Sequence, residues 1–229
     1  MKTTANSSDN SCLKQIGAFD EVVYNKNMKV FLATSNEAKI ERFKNLLRQV
    51  DKEIEVYTPK DLNIGFLNII ENGKNLMENA RLKANAYFGK VDMPILSNDT
   101  GFYVEGEGFV DAPKRKALGN VNEDDLPEGE TSKLLLSFWK GVATKHGGKV
   151  NAAWIEAFVL LYPNGKTKES ESRREVVLTN QEFGVPPMKM PVRALYYSKT
   201  TNKPSIKHTK EEEILEMKPV INALIKILE

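Results

Sequence analysis

The segment from residue 71 to residue 101 constrains the fold most, because it joins a helical pattern to a buried strand. Apolar residues recur there at steps of four, four and three, which places them on one face of a helix (Leu76, Ala80, Ala84 and Tyr87). The apolar run that begins at Pro94 then predicts a short buried strand. Helix and strand therefore alternate in this segment, as they do in α/β folds.

Polar residues lie at the ends of both elements. Glu71 precedes the helix, Lys83 is expected to lie off its apolar face, and the sequence Asn-Asp-Thr-Gly at 98–101 follows the strand. Two acids and a lysine carried on a loop, a helix and a strand end can converge on one site. Such a site suits a divalent cation and a phosphate chain. Taken alone, the Asp-Thr-Gly sequence is also typical of a simple turn.

Composition bounds the class of protein. The chain has 229 residues, of which 41% are hydrophobic and 28% charged, as expected for one soluble domain or one domain of two lobes. Its net charge of +2 gives no overall nucleic-acid footprint. A single cysteine, Cys12, excludes an intramolecular disulfide framework and is compatible with a reducing compartment. No apolar run approaches the ~18 residues of a membrane span, so we expect a cytoplasmic protein without a membrane partner.

The chain begins with a polar, aperiodic stretch that we expect to be an N-terminal extension (residues 1–27), followed by one domain (residues 28–229). A buried strand is predicted at 29–33, and a helix follows in which apolar residues are spaced three, four and three apart. Thr34, Ser35 and Asn36 form the turn between them. This arrangement aims backbone N–H groups at an anion, and Lys39 adds positive charge. Alternatively, Ser35 or Asn36 serves only as the N-cap.

Strand and helix patterns interleave through the first half, whereas a long hairpin dominates the second. Strands are predicted near 54–57 and 102–105, an irregular segment at 109–128 and a helix at 130–145. The hairpin pairs 152–162 with 167–178 through a Pro-Asn-Gly turn. Thr209 and Glu212 form a capping box before the last helix, which Pro219 kinks or restarts. We predict an α/β fold with a mixed twisted sheet, in two lobes with a central cleft.

Three motifs occur in order within about 70 residues. They are Thr34-Ser35-Asn36 with Lys39, then Glu71-Asn72-Gly73 with the helix Glu-Asn-Ala-Arg-Leu-Lys-Ala at 78–84, then Asn98-Asp99-Thr100-Gly101. Glu71 and Lys83 are 12 residues apart, and Lys83 and Asp99 are 16 apart. In order and spacing these motifs resemble the inosine triphosphate pyrophosphatase family, the non-canonical purine nucleoside triphosphate pyrophosphatases. The resemblance is strong over residues 28–118 and weaker beyond.

The resemblance implies magnesium-dependent hydrolysis of nucleoside triphosphates to the monophosphate and pyrophosphate, by a homodimer that cleans the nucleotide pool. By this resemblance Asp99 is catalytic and activates the attacking water at the α-phosphorus. Glu71 and Asp99 hold Mg²⁺. The residues that bind the substrate, chiefly its phosphates, are Thr34, Ser35, Asn36, Lys39, Lys83 and Thr100. Magnesium favours a few carboxylate and phosphate oxygens, so this donor set is chemically reasonable.

The chain departs from the family pattern in two places. The acidic pair has Asn98 in place of its first acid. The two base-reading motifs, Phe-Gly-(aromatic)-Asp-Pro and Ser-His-Arg, correspond here to Phe-Gly-Val-Pro-Pro at 183–187 and Leu-Glu-Met at 215–217. A basic cluster near the last helix either faces the cleft and replaces the lost contacts or forms a solvated loop (Arg193, Lys199, Lys203, Lys207 and His208).

Three functions are compatible with these motifs. The first is an active nucleoside triphosphate pyrophosphatase, with or without a shifted base preference. The second is a nucleotide-binding homologue without turnover, but the presence of Glu71, Lys83 and Asp99 together favours an enzyme. The third is a relative of the septum-inhibitor-like pyrophosphatases, against which the Glu-Asn-Ala helix argues.

Overall fold

The structure is a computed structural model that describes residues 28–65, 67–119, 127–188 and 190–229. Within these ranges there are seven strands: β1 (Lys29–Leu32), β2 (Glu55–Tyr57), β3 (Ile95–Val104), β4 (Gly108–Phe109), β5 (Lys149–Leu161), β6 (Thr167–Thr179) and β7 (Tyr196–Ser198). The same ranges hold five α-helices: α1 (Glu37–Val50), α2 (Leu76–Tyr87), α3 (Asp111–Ala117), α4 (Glu128–Lys145) and α5 (Lys210–Leu228). The N-terminal extension predicted at 1–27 lies outside the described residues.

One mixed sheet contains all seven of these strands, in the order β2-β1-β3-β5-β6-β7, with β4 paired to β3 beside this path. β1 runs parallel to β2 and to β3, whereas the other pairs are antiparallel. The predicted α/β fold with a mixed sheet is therefore confirmed. No helix in the described ranges is long and apolar enough to cross a bilayer.

The prediction of two separate strands, one from residue 94 that ends before Asn98 and one at 102–105, is wrong, and so is the alternative of a turn at Asp-Thr-Gly. β3 continues through Asn-Asp-Thr-Gly as a single strand of 10 residues. β5 pairs with its whole length, from Ile95 opposite Leu161 to Val104 opposite Ala152. This pairing satisfies the backbone groups that a turn would otherwise have to satisfy locally. Asn98 and Asp99 consequently lie inside the strand and point to opposite faces of the sheet.

The long hairpin forms the centre of the core. β5 and β6 are each 13 residues long and pair along their full length, as the sequence predicted. On β5, Phe158 and Leu160 pack in one cluster with apolar residues of α1 and α5. Ala157 and Val159 point to the other face and pack against α2. A further cluster surrounds Trp139 of α4 at the opposite end of the hairpin.

One helix differs from the sequence prediction, and for another the restart at a proline, one of the two predicted alternatives, is excluded. α3 occupies part of the segment predicted as irregular, and Pro113 stands in its first turn, where a missing N–H costs nothing. α5 continues through Pro219 instead of restarting there. Its face beyond the proline, with Val220 and Leu224 fully buried, packs on the sheet and holds the helix in place. The predicted capping box of Thr209 and Glu212 is confirmed.

Candidate functional site

The turn after β1 forms one wall of a cavity of about 550 Å³. Thr34, Ser35 and Asn36 line it, together with Lys39 from the first turn of α1. Asn36 is also the N-cap, because its Oδ1 accepts a hydrogen bond from the backbone N of Lys39 at 3.0 Å. The backbone N of Asn36 donates to Oγ1 of Thr34 at 3.3 Å. Capping and cavity lining, which the sequence left as alternatives, thus occur together.

Lys39 is a partly buried lysine at this cavity. Burial lowers the pKa of Lys39, and the nearby charge of Lys83 lowers it further, while the carboxylates of Asp99 and Glu71 act in the opposite direction. The lowered pKa means that the protonated form has too little negative charge around it. An anion in the cavity would supply that charge, so the pocket favours a phosphate.

Lys83 lies at the centre of the site. Its Nζ is 2.8 Å from Oε2 of Glu71 and 2.7 Å from Oδ1 of Asp99, and it donates to the backbone oxygen of Asn98 at 3.3 Å. The sequence placed Lys83 off the buried face of its helix, which is wrong, because only 8% of the residue is exposed. Its stem packs between α2 and β3, and its ammonium group is compensated by the two carboxylates.

Asn79 fixes the geometry around Asp99. Its Nδ2 donates to Oδ2 of Asp99 at 3.1 Å, and its Oδ1 accepts from the backbone N of Gly73 at 2.8 Å. One amide therefore connects the loop that carries Glu71 to the strand that carries Asp99. A Cβ on Gly73 would lie 2.7 Å from Oδ1 of Asn79, so this close approach requires glycine. The sequence analysis included Asn79 in the motif at 78–84 but assigned it no role.

Thr100 does not join this group. Its side chain points to the sheet face opposite Asp99, and its Oγ1 accepts a hydrogen bond from Nδ2 of Asn98 at 3.0 Å. Asn98 itself lines the cavity. The structure thus brings Thr34, Ser35, Asn36, Lys39, Glu71 and Lys83 to the cavity wall, with Asp99 bound to Lys83. The role of Thr100 in substrate binding stays a prediction.

Asp111 is a further acid near the site, and no motif pointed to it. It begins α3, and its Oδ2 lies 3.2 Å from the position that a Cβ on Gly101 would occupy, on the same strand face as Asp99. Burial raises the pKa of Asp111, and the charge of Asp99 raises it further, against the opposing effect of Lys114. α3 was not predicted, so the sequence gave no reason to place this carboxyl beside β3.

A second cavity, of about 680 Å³, lies further along α1. Arg42, three residues after Lys39, lines it, and so do Arg193 and His208 from the predicted basic cluster. Arg193 pairs with Glu213 at 2.7 Å. Lys203 instead pairs with Glu212 on the surface. Lys199 and Lys207 are not among the residues that line either cavity.

A chain of polar contacts connects several residues that line this second cavity. Arg42 donates two hydrogen bonds to the carboxylate of Glu156, at 2.7 and 2.6 Å. Arg174 donates to Glu156 at 3.4 Å and to Glu216 at 3.1 Å. Glu216 also lies 3.0 Å from Nδ1 of His208. Glu216 belongs to the Leu-Glu-Met sequence at 215–217, so a buried carboxylate now occupies the region where the family pattern has Ser-His-Arg.

Glu71 and Asp99, the two carboxylates that contact Lys83, can hold a metal ion only together with a bound ligand. No group of three or more His, Cys, Asp or Glu side chains suited to a metal ion occurs in the described residues. Glu71, which lines the smaller cavity, and Asp99 nevertheless both contact the ammonium group of Lys83, so two carboxylates lie close together there. Magnesium is commonly bound by one or two carboxylates plus substrate phosphates. The residues present therefore fit Mg²⁺ shared with a phosphate chain.

Comparison with known proteins identifies relatives over most of the chain. The model of the Ham1 family matches residues 30–177. A dITP/XTP pyrophosphatase of Aquifex aeolicus is 28% identical over 169 residues, which cover 72% of this chain and 81% of that protein. A dITP/XTP pyrophosphatase of Thermoanaerobacter pseudethanolicus is 38% identical over 151 residues, which cover 61% of this chain and 75% of that protein.

Solved structures give the same result for the fold. The Ham1 protein of Staphylococcus aureus superposes with a TM-score of 0.63 at 19% identity, covering 86% of this chain and 96% of that chain. A HAM1 protein of Coxiella burnetii superposes with a TM-score of 0.66 at 16% sequence identity, covering 88% of this chain and 98% of that chain. The resemblance carried by the three sequence motifs is thus confirmed. Because the family match extends over more than half of its length, this chain belongs to the Ham1 family.

Proposed function

We propose that this protein hydrolyses nucleoside triphosphates with deaminated purine bases, such as dITP and XTP, to the monophosphate and pyrophosphate. The arrangement that supports this most is the ammonium group of Lys83 between Glu71 and Asp99 at the cavity that Lys39 and the 34–36 turn line. It offers cationic and N–H donors to phosphates and two carboxylates to a cation. The relatives named dITP/XTP pyrophosphatase supply the substrate class. In the cell such a reaction would remove damaged nucleotides from the pool.

Each residue has a role that follows from its position. Glu71 and Asp99 would hold Mg²⁺, which supplies charge neutralisation on the phosphates and a more acidic water. Lys39 and Lys83 bind the phosphate oxygens. Asp99 accepts the proton of the attacking water, and Asn79 keeps its carboxylate oriented through Oδ2. Little covalent chemistry is required of the protein, so placement and electrostatics carry the rate.

The larger cavity is proposed to receive the base. Arg42 is three residues from Lys39 on the same helix, about 4.5 Å along its axis, so one nucleotide can reach both cavities. Of the five residues in the predicted basic cluster, Arg193 and His208 line this cavity, whereas Lys199, Lys203 and Lys207 do not. A homodimer and a cytoplasmic location stay predictions, the first from the family resemblance and the second from composition.

Pyrophosphate release with magnesium tests the proposal. The substrates are ITP, XTP, dITP, the four standard ribonucleoside triphosphates and dUTP, and Asp99→Asn is the control variant. We expect release to favour ITP or XTP and to be lost in the variant. Pyrophosphate release only from a nucleotide other than ITP, XTP or dITP would mean that the enzyme acts on a different group of nucleotides. Binding of nucleotide without release from any of them would make the protein a binder and refute hydrolysis.

A further inference from the structure

The ammonium group of Lys83 is surrounded by three protein oxygens. Lys83 donates hydrogen bonds to Oδ1 of Asp99 at 2.7 Å and to the backbone oxygen of Asn98 at 3.3 Å, and its Nζ lies 2.8 Å from Oε2 of Glu71 in an ion pair. The residue is only 8% exposed, so these contacts replace solvation by water. A phosphate that binds this ammonium group must compete with them.

The carboxylates are occupied by the same contact. Oδ1 of Asp99 faces Lys83, and its Oδ2 accepts from Asn79 at 3.1 Å. Oε2 of Glu71 faces Lys83 as well. A divalent cation needs oxygens at about 2.1 Å, which the ammonium group now covers. Lys83 and a metal ion therefore exclude each other at these two oxygens.

Charge balance favours the lysine in the free protein. The charged residues that line the cavity or contact Lys83 are two lysines, Lys39 and Lys83, and two acids, Glu71 and Asp99, so their formal charges cancel. A bare divalent cation would add two uncompensated positive charges next to Lys39, whose pKa is already lowered by burial. A triphosphate removes that obstacle because it brings several negative charges into the same cavity.

We propose that Lys83 holds the place of the metal ion in the free protein and moves to the phosphate chain when a metal–nucleotide complex binds. Only the identity of the ligand, a divalent cation with a nucleoside triphosphate, rests on the proposed function. The cavity of about 550 Å³ that Lys83 also lines gives the ammonium group a short path to the phosphates. Asp99 stays oriented during this exchange because Asn79 binds its other oxygen.

The exchange makes metal binding conditional on nucleotide. Without nucleotide, Glu71 and Asp99 are neutralised internally and a free cation has low affinity. With nucleotide, Lys83 leaves and both carboxylates become available at the moment when phosphate oxygens complete the coordination. The consequence is an enzyme that recognises the complex and is insensitive to the concentration of free cation once that complex is formed.

Binding of Mn²⁺, followed by electron paramagnetic resonance or calorimetry, tests the proposal without turnover. Wild-type protein is titrated alone and with an ITP analogue whose α–β bridge cannot be hydrolysed. We expect weak binding alone and binding about tenfold or more tighter with the analogue present, beyond the affinity of the analogue itself for Mn²⁺. Equal affinity in both titrations would overturn the proposal.

A lysine substitution gives the sharper result. The affinity of Lys83→Met for free Mn²⁺ should be at least about tenfold higher than that of wild type, because the two carboxylates then lack their internal cation. It should also lose affinity for the nucleotide analogue. Lys74→Met, at an exposed lysine on the adjoining loop, should match wild type in both titrations.

The double variant Lys83→Met with Asp99→Asn should lose the gained Mn²⁺ affinity, which would locate the ion at this site. Unchanged Mn²⁺ affinity in folded Lys83→Met refutes the proposal, and the wild-type titrations decide the question should that variant not fold. Absence of pyrophosphate release from every nucleotide would refute the proposed hydrolysis but leave these metal titrations valid. The two failures are therefore distinguishable.

Discussion

Replacement of Glu156 by glutamine should destabilise the protein strongly. Glu156 is fully buried on β5, and both of its oxygens accept hydrogen bonds from Arg42 on α1, at 2.7 and 2.6 Å. Arg174 adds a third contact at 3.4 Å. Glutamine keeps the volume but removes the charge, and it turns an NH₂ group toward a guanidinium group. Two positive charges then lose their shared partner.

The size of the effect follows from the burial of those partners. Removal of one member of a buried ion pair costs about 3–5 kcal/mol. The side chain of Arg42 is 30% exposed and can turn toward water, and Arg174 keeps Glu216 at 3.1 Å. We therefore expect about 3 kcal/mol, the lower end of that range. With a urea slope of roughly 2–3 kcal/mol/M, the midpoint falls by about 1–1.5 M.

The chain provides a matched control on its surface. Arg81 also donates two hydrogen bonds to one carboxylate, from Nε and Nη2 to Glu169 at 2.7 and 2.6 Å, but the two side chains are 48% and 29% exposed. Glu169→Gln should cost at most about 1 kcal/mol, because exposed ion pairs contribute little. Urea unfolding of both variants at pH 7 measures the difference. If Glu156→Gln cost no more than the Glu169 variant, the reasoning from burial would be refuted.

The same pair predicts a pH dependence. Burial raises the pKa of Glu156, but the charge and hydrogen bonds of Arg42, with the charge of Arg174, outweigh it, and the pKa lies below the usual 4.5. A carboxyl with a depressed pKa in the folded state stabilises the protein above its unfolded pKa. That stability is lost as the pH falls through the folded value. The difference between wild type and Glu156→Gln should be constant at neutral pH and shrink below about pH 4.

Two further substitutions test local features. Gly73→Ala puts a methyl group 2.7 Å from Asn79 Oδ1, so we expect pyrophosphate release to fall about tenfold or more as the Glu71 loop shifts. Gly65→Ala, with nothing within 4 Å, is the control and should be silent, whereas full activity in Gly73→Ala would contradict the bridge. Thr209→Ala removes the side-chain cap of α5 and should lower the free energy of unfolding by about 1 kcal/mol. Urea unfolding measures this loss, and an unchanged midpoint would disprove it.

Features that depend on local periodicity could be predicted from the sequence. The apolar spacing of α1 and α2 and the turn between β5 and β6 depend on residues within a few positions of each other. The three motifs likewise identified Lys39, Glu71, Lys83 and Asp99 before any geometry was known. Each of these signals is short in range.

Features created by tertiary contact could not be predicted. Asn-Asp-Thr-Gly favours a turn, but pairing with β5 overrides that local preference. Arg42 and Glu156 are 114 residues apart, and no pattern along the chain connects them. The burial of Lys83 depends on two carboxylates from different elements, and the place of Asp111 depends on a helix that the composition did not suggest.

The continuity of β3 restricts how this protein can change during evolution. Side chains alternate along a strand, so one residue inserted before Asn98 would present Asn98 to Lys83, and one residue deleted there would present Thr100. A turn could absorb such a change, but this strand is paired with β5 along all of its 10 residues. Homologous sequences should accordingly vary in residue type along β3 while keeping its length. A shift of the strand register by one position would replace the carboxylate of Asp99 beside Lys83 by an amide or a hydroxyl group.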